Sequence, residues 1–124
     1  MWDWDFTFQI LPDLLRAFLV TVQATILGMS LALVLGLAWA ILRRARQRIV
    51  SMPIYWMVEF IRSTPLLVQI YFLFFVFPDF GIRLSPLTTG VVALGLHYSA
   101  YSAEVYRAGI EGVQKGQWEV LAAE

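Results

Sequence analysis

The strongest constraint in this sequence is an uninterrupted run, Ala17 to Leu42, that contains no charged side chain. As an α-helix the run would be about 39 Å long, at about 1.5 Å per residue. The hydrocarbon core of a bilayer is only about 30 Å thick. The run therefore predicts a tilted transmembrane helix over residues 17–42. Composition agrees, because the chain is 60% hydrophobic and only 15% charged.

A second uncharged run, Ser63 to Pro78, is too short to cross a bilayer alone. We expect its helix to begin near Pro53, since proline is tolerated in a first helical turn. Pro65 then falls inside the helix, where it predicts a kink or a break. The second predicted transmembrane helix covers residues 53–78.

A third uncharged run, Leu84 to Ala103, predicts another transmembrane helix over residues 86–106. The predicted fold class is therefore an all-α integral membrane protein with three transmembrane helices. Four arginines in six positions follow the first helix, and such short basic clusters lie in the cytoplasm. The predicted topology places residues 1–16 outside, 43–52 in a cytoplasmic basic loop, 79–85 outside and 107–124 in the cytoplasm.

Charged pairs and small residues show how these helices could pack. Glu59 and Arg62 are three residues apart, so they share a helix face, and pairing lowers the cost of both charges in lipid. The pairs Glu104/Arg107 and Arg107/Glu111 also have helical spacing. Small residues at four-residue spacing, Gly28, Ala32 and Gly36, predict a close helix contact.

Polar groups at membrane depth are candidates for a translocation path, because such groups usually face a bundle interior or a water-filled route. The candidates are Gln69, His97, Tyr98 and Ser99. A proton relay at His97 would need buried carboxylates, and the three uncharged runs contain none. A hydrogen-bonded packing role is therefore favoured for His97, and a proton-coupled carrier is disfavoured.

Several function classes are excluded by composition. Nine basic and nine acidic residues cancel to a formal charge of zero, so no basic field favours nucleic acid. Cysteine is absent and His97 is the single histidine, which leaves no metal-binding cluster. No phosphate-binding Gly-x-x-x-x-Gly-Lys-Ser/Thr loop is present. We expect no catalytic, metal or cofactor site, and the chain is not expected to be an enzyme.

Four segments of the chain resemble the permeases of polar-amino-acid ABC importers, the group that includes histidine, glutamine, arginine and ectoine systems. In order, they are Leu15 to Leu37, Glu59 to Gln69, Ser99 to Ile110 and Val113 to Glu119. Arg-Ser-Thr-Pro-Leu-Leu and the later Ala-Glu-x-x-Arg-x-Gly-Ile are the most specific of these motifs. The membrane residues that match the family pattern are Glu59, Arg62, Thr64, Pro65, Gln69, Tyr101, Glu104 and Arg107.

This resemblance implies the first part of the five-helix core of a type I importer permease, in a bacterial inner membrane. It implies a cytoplasmic coupling element, the EAA loop, that docks on an ATP-hydrolysing subunit. By the same resemblance its residues are Gly116, Gln117, Glu119, Ala122 and Ala123, although Val120 and Leu121 stand where the family pattern expects two alanines. Because the chain stops at Glu124, before the family's last two helices, a fragment or truncated product is expected.

The implied partners are an ATPase subunit homodimer that binds the ATP, and a second permease subunit, identical or paralogous. A periplasmic or lipid-anchored solute-binding protein, and membrane lipid, complete the set. The implied solute is a polar amino acid or a compatible solute, with the Trp-Asp-Trp-Asp start and the arginine cluster favouring the ectoine type. The alternatives left open are a small regulatory or scaffolding membrane subunit and a non-functional truncated permease.

Overall fold

The computed structural model describes residues 1–113 and 115–123, with the side chain of Lys115 left out. Gln114, Glu124 and the Lys115 side chain, all in the predicted coupling segment, lie outside the described residues. The fold is all-helical over the described part, as predicted. Its helices are α1 (Trp4–Arg43), α2 (Arg48–Ser63), α3 (Leu66–Tyr71), α4 (Pro86–Glu111) and α5 (Lys115–Ala123). A π-helical turn (Phe72–Val76) and a 3₁₀ turn (Phe77–Phe80) continue α3.

Helix α1 begins at Trp4, well before the predicted start of the first transmembrane helix at Ala17. The carboxylate of Asp3 caps it by accepting hydrogen bonds from the amides of Asp5 (3.0 Å) and Phe6 (3.3 Å). An aspartate at this position satisfies amides that have no partner within the helix. Residues 1–16, predicted as a periplasmic segment before the first transmembrane helix, are therefore mostly helical, and Asp13 and Arg16 form a pair at 3.7 Å on the helix surface.

Helices α1 and α4 pack side by side and run in the same direction. A Cβ atom on Gly28 would lie 3.0 Å from the Cβ of Leu94, and one on Gly36 would lie 2.6 Å from the Cβ of Ser102. Gly36 follows Gly28 along α1 by the same number of residues as Ser102 follows Leu94 along α4, so the two helices are parallel. Gly28, Ala32, Gly36 and Ala40 are all buried, which confirms the helix contact predicted from the small-residue row.

The segment between α1 and α4 departs most from the prediction. Helix α2 begins at Arg48, so Pro53 lies inside it, and the predicted basic loop 43–52 is reduced to the short turn before α2. The predicted break at Pro65 is confirmed, but the two parts meet at 99°, so residues 53–78 are not one straight helix. Gly81, with φ of 86°, ends the 3₁₀ turn in a left-handed conformation that glycine adopts freely.

Among the described residues, α1 alone is long and apolar enough to cross a membrane by itself. Helix α2 meets the same test only when it is taken together with Leu66–Phe80 as a bent pair. Helix α4 continues to Glu111, beyond the predicted end of the third span at position 106, and Gly112 ends it. The count of three spans therefore remains a prediction.

Candidate functional site

One glutamine side chain of α3 bonds to the end of α2 across the break between the two helices. Thr64 has extended backbone angles (φ −95°, ψ 129°), as a residue before proline is expected to have. The amide nitrogen of Gln69 donates to the carbonyl oxygens of Ile61 (3.1 Å) and Thr64 (3.2 Å). These carbonyls lie at the end of α2, where the Ile61 oxygen also accepts a hydrogen bond from the amide of Thr64 at 3.3 Å. Gln69 thus supplies a donor to the Thr64 oxygen and a second donor to the Ile61 oxygen.

His97 of α4 completes this cluster. Its Nδ1 lies 3.1 Å from the Nε2 of Gln69, and the residue is only 7% exposed. The ring of Tyr101 lies one helical turn away, with its centroid 5.2 Å from that of His97. A buried, hydrogen-bonded position is consistent with the packing role favoured for His97.

A cavity of about 410 Å³ lies in the elbow between α2 and α3, against α4. Apolar side chains such as Phe60, Val68 and Leu96 form most of its wall. Thr64 and Gln69 are the polar residues in its lining. The break therefore borders an open and mostly apolar space about as large as a small solute needs.

The predicted pair at the end of α2 forms as expected, with Arg62 Nη1 2.9 Å from Glu59 Oε1. Tyr101 joins it from α4, since its hydroxyl donates to the carbonyl oxygen of Arg62 (3.2 Å) and its ring lies 5.6 Å from the guanidinium carbon. Arg62 Nε is buried and has no hydrogen-bond partner among the described residues. The contacts of Tyr101 with Arg62 therefore join α4 to α2 just before the break.

A larger charged network joins α1 to the C-terminal part of α4. Glu104 accepts hydrogen bonds from Arg43 of α1 and from Arg107, the latter at 2.8 Å. Arg107 also binds Glu111 at 2.8 Å. The guanidinium of Arg43 lies 4.5 Å above the ring of Tyr55, which adds α2 to the same cluster. One carboxylate, Glu104, thus connects the two long helices.

Of the two remaining candidates for a translocation path, Tyr98 contacts His97, whereas Ser99 faces α1. Ser99 is fully buried between α4 and α1, where its hydroxyl accepts a hydrogen bond from Trp39 Nε1 at 3.1 Å. Tyr98 is 38% exposed, and its ring lies edge-on to that of His97. Ser99 therefore acts as a packing group here, and Gln69 is the candidate that lines the cavity.

The predicted coupling residues occupy α5. Gly116, Gln117, Glu119, Ala122 and Ala123 are all exposed. The helix follows within a few residues of the charged end of α4. A surface in this position is accessible to another subunit.

The contacts of Trp39 and Arg43 with α4 were not predicted from the sequence. Both lie within one or two turns of Gly36, on the continuation of the predicted small-residue row. That row faces α4, and extending it by two turns places Arg43 near the same face, although the row does not show that its partner there is Glu104. The periodicity of the row was the available signal.

Gln69 gives a direct test of how the break is stabilised. We expect Gln69→Leu to lower stability by about 1–3 kcal/mol, because the Thr64 oxygen loses its donor and the Ile61 oxygen keeps only the Thr64 amide. As a control, Tyr101→Phe removes one hydrogen bond to the carbonyl of an incompletely buried residue and should cost less. Thermal unfolding of the detergent-solubilised protein, followed by circular dichroism, measures both. Equal unfolding temperatures for the two variants would contradict this role of Gln69.

Comparison with known proteins identifies the family. A family model described as binding-protein-dependent transport system inner membrane component matches residues 32–123. A Sinorhizobium fredii protein named as a probable amino-acid ABC transporter permease is 48% identical over 114 residues, which are 92% of this chain and 49% of that protein. The L-cystine transport system permease of Bacillus subtilis is 38% identical over 121 residues, covering 94% of this chain and 50% of that protein.

A solved structure has the same fold over almost the whole chain. It is a crystal structure of an amino acid ABC transporter with histidines, matched with a TM-score of 0.90 and 30% identity. The match covers 99% of this chain and 57% of that one. This chain spans about half the length of the curated relatives it matches.

Permeases of this kind are not enzymes by themselves, which confirms the expectation that the chain is not an enzyme. The family description names an inner membrane component, so this is a membrane protein. The helix break, the charged α1–α4 end and the exposed α5 all lie within or beside the matched residues 32–123, and the chain belongs to the family of binding-protein-dependent transport system inner membrane components.

Proposed function

We propose that this chain forms part of the membrane pathway of an ATP-driven importer for a polar amino acid or an amino-acid-like solute. The observation that carries the proposal is the position of α5. This helix is exposed, and it follows the end of α4 that Glu104 ties to α1. A subunit that moved α5 would therefore act on both long helices.

ATP in this proposal is bound by a partner ATPase homodimer, and the chain itself binds no cofactor. The inward-open and outward-open forms of the permease would differ in affinity for the closed ATPase dimer, so ATP binding shifts their populations. Arg43 and Glu104 would transmit the movement of α5 and α4 to α1. A second permease subunit, identical or paralogous, and a solute-binding protein complete the assembly.

The proposed solute class follows from the relatives. Their names specify L-cystine in one case and glutamine in another, the latter a Bacillus subtilis protein that is 40% identical over 106 residues. An ectoine-type solute remains within the proposed class. Gln69 is the residue we propose for solute contact, because it is one of the two polar residues that line the cavity at the helix break.

Reconstitution tests this function. The full permease that contains this chain is placed in liposomes with its ATPase and solute-binding protein, and uptake of labelled L-glutamine, L-cystine, L-arginine and ectoine is measured. We expect uptake of at least one solute that requires ATP hydrolysis, with a non-hydrolysable ATP analogue as the control. Equal accumulation with ATP and with the analogue for every solute would contradict the proposal.

The parallel packing of α1 and α4 supports a topology with the N-terminus outside, the C-terminal end of α4 in the cytoplasm and three spans. The chain lacks cysteine, so an introduced cysteine is the single one within it. We expect a membrane-impermeant maleimide to label Trp2→Cys in intact spheroplasts, and Ala122→Cys only after lysis, because basic segments stay in the cytoplasm. Labelling of Ala122→Cys in intact spheroplasts would contradict this topology.

Glu119 tests the coupling role of α5. We expect Glu119→Lys to leave the amount of protein in the membrane unchanged and to reduce co-purification of the ATPase subunit about tenfold, since like charges across an interface cost binding energy. Asp79→Lys, an equal charge change on an exposed residue near the other end of α4, is the matched control. ATPase recovery equal to that of the control would contradict a docking role for Glu119.

A further inference from the structure

The side-chain amide of Gln69 meets more acceptors than it has hydrogen atoms. Its Nε2 lies 3.1 Å from the Ile61 oxygen, 3.2 Å from the Thr64 oxygen and 3.1 Å from the Nδ1 of His97. The nitrogen of an amide carries two hydrogens, so it cannot serve all three atoms fully. The Ile61 oxygen has another donor, the Thr64 amide, at 3.3 Å. The two hydrogens of Gln69 are therefore needed by the Thr64 oxygen and by His97.

The same contacts determine where the ring of His97 carries its proton. An amide oxygen cannot donate, so the nitrogen of Gln69 must face the carbonyl oxygens of Ile61 and Thr64. That nitrogen also faces His97 Nδ1. An amide nitrogen donates and does not accept, so Nδ1 is the acceptor of this pair. A neutral histidine ring has one N–H group, which here must be Nε2–H.

The oxygen of the Gln69 amide is the part that the protein leaves unused. Within residues 1–113 and 115–123 it accepts no hydrogen bond, since the hydrogen bonds of this side chain are all made by Nε2. Gln69 lines the cavity at the helix break. Because both hydrogens are taken by the protein, the group that remains for a solute is a hydrogen-bond acceptor.

We propose that His97 is a positioning residue that orients Gln69 for a donor group of the solute. Its ring, neutral with the proton on Nε2, takes one of the two Gln69 hydrogens, and the Thr64 oxygen takes the other. The amide then donates only to the protein, and its oxygen accepts from the solute, for example from the ammonium group of an amino acid. This selection rests on the proposed contact of Gln69 with the solute, whereas the bond between His97 and Gln69 does not.

Nuclear magnetic resonance tests the His97–Gln69 bond without any solute. In the full permease with isotope-labelled histidine, at about pH 8, the nitrogen chemical shifts show which ring nitrogen carries the proton. The signals of His97 are those that the His97→Asn protein lacks. We expect an unprotonated Nδ1 and a protonated Nε2. A proton on Nδ1, whether as the main form or in an equal mixture, would overturn the proposal.

Uptake by two variants of His97 separates positioning from packing. His97→Asn keeps an acceptor, because its side-chain oxygen is as many bonds from the backbone as Nδ1 is, whereas His97→Leu fills the buried position but cannot accept. We expect His97→Asn to retain most of the uptake, and His97→Leu to be slower than His97→Asn by about threefold or more. Equal rates, or faster uptake by His97→Leu, would show that His97 acts through packing and would overturn the proposal.

The contact with the solute is tested in permease with isotope-labelled glutamine side chains. The probe is L-glutamine, L-cystine, L-arginine or ectoine, whichever the reconstituted permease takes up. We expect it to shift the side-chain carbonyl carbon signal of Gln69, identified by its loss in Gln69→Leu, and to leave the N–H signals in place. A shift of the N–H signals alone, or no shift, would overturn the acceptor role. If no solute is taken up, the proposed function fails, while the ring-nitrogen measurement still decides the bond to His97.

Discussion

Replacing Gly36 with alanine is expected to lower the stability of the permease by about 1–3 kcal/mol, because the added methyl group overfills a closed contact. Its Cβ would lie 2.6 Å from the Cβ of Ser102 and 2.9 Å from the carbonyl oxygen of Ser99. The second neighbour is backbone, so it can move away only if α4 itself moves. The substitution should therefore separate the two helices that form the centre of the described chain.

A matched substitution isolates this packing effect. Gly90 is a glycine of α4, but a Cβ there would meet no atom within 4 Å. Gly90→Ala should be neutral or stabilising by up to about 1 kcal/mol, because alanine favours helices over glycine. Heating the detergent-solubilised protein and measuring the monodisperse fraction by size-exclusion chromatography compares the two. Gly36→Ala with a midpoint at or above that of Gly90→Ala would contradict the close contact.

The packing of α1 on α4 could be predicted in part because it depends on a local pattern. Gly28, Ala32 and Gly36 recur every four residues, and this periodicity alone indicates a helix face that admits close approach. The sequence did not show which helix packs on this face or in which direction it runs, since Leu94 and Ser102 are far from Gly28 and Gly36 in the chain. Glu104 was singled out from its spacing with Arg107, whereas its bond to Arg43 requires the folded arrangement.

The position of the helix break could be predicted from the sequence, but its angle could not. Pro65 predicts a break because proline removes a backbone donor, and this is a property of one residue. The groups that contact each other at the 99° bend include Gln69, which bonds the end of α2, and His97, which lies within hydrogen-bond distance of Gln69 on another helix. Such an angle depends on partners that sequence spacing does not reveal.

The start of α1 was missed for a different reason. The uncharged run begins at Ala17, after Asp13 and Arg16 interrupt the apolar pattern, so the helix was predicted to begin there. The cap at Asp3 was a readable signal, since aspartate before a helix favours its first turn. Charges at a helix surface do not end the helix, and here Asp13 and Arg16 pair on it.

Glu104 is the residue through which this structure connects the membrane helices to the coupling end. The side chain of Glu104 is only 16% exposed, and that of its ion-pair partner Arg43 is 19% exposed. Two arginines share the one carboxylate, so its removal leaves two cations with reduced compensation. Breaking a buried pair by removing one partner typically costs about 3–5 kcal/mol.

We therefore expect Glu104→Gln, which keeps the shape of the side chain, to lower stability by about 3 kcal/mol and to abolish ATP-dependent uptake in the reconstituted permease. Glu111→Gln is the matched control, because its side chain is 52% exposed and its pair with Arg107 should contribute at most about 1 kcal/mol. The double variant Arg43→Gln/Glu104→Gln should recover part of the lost stability, since it removes the uncompensated charge together with its partner. Chemical unfolding in detergent gives the three values, and equal effects of Glu104→Gln and Glu111→Gln would show that the α1–α4 connection does not depend on this carboxylate.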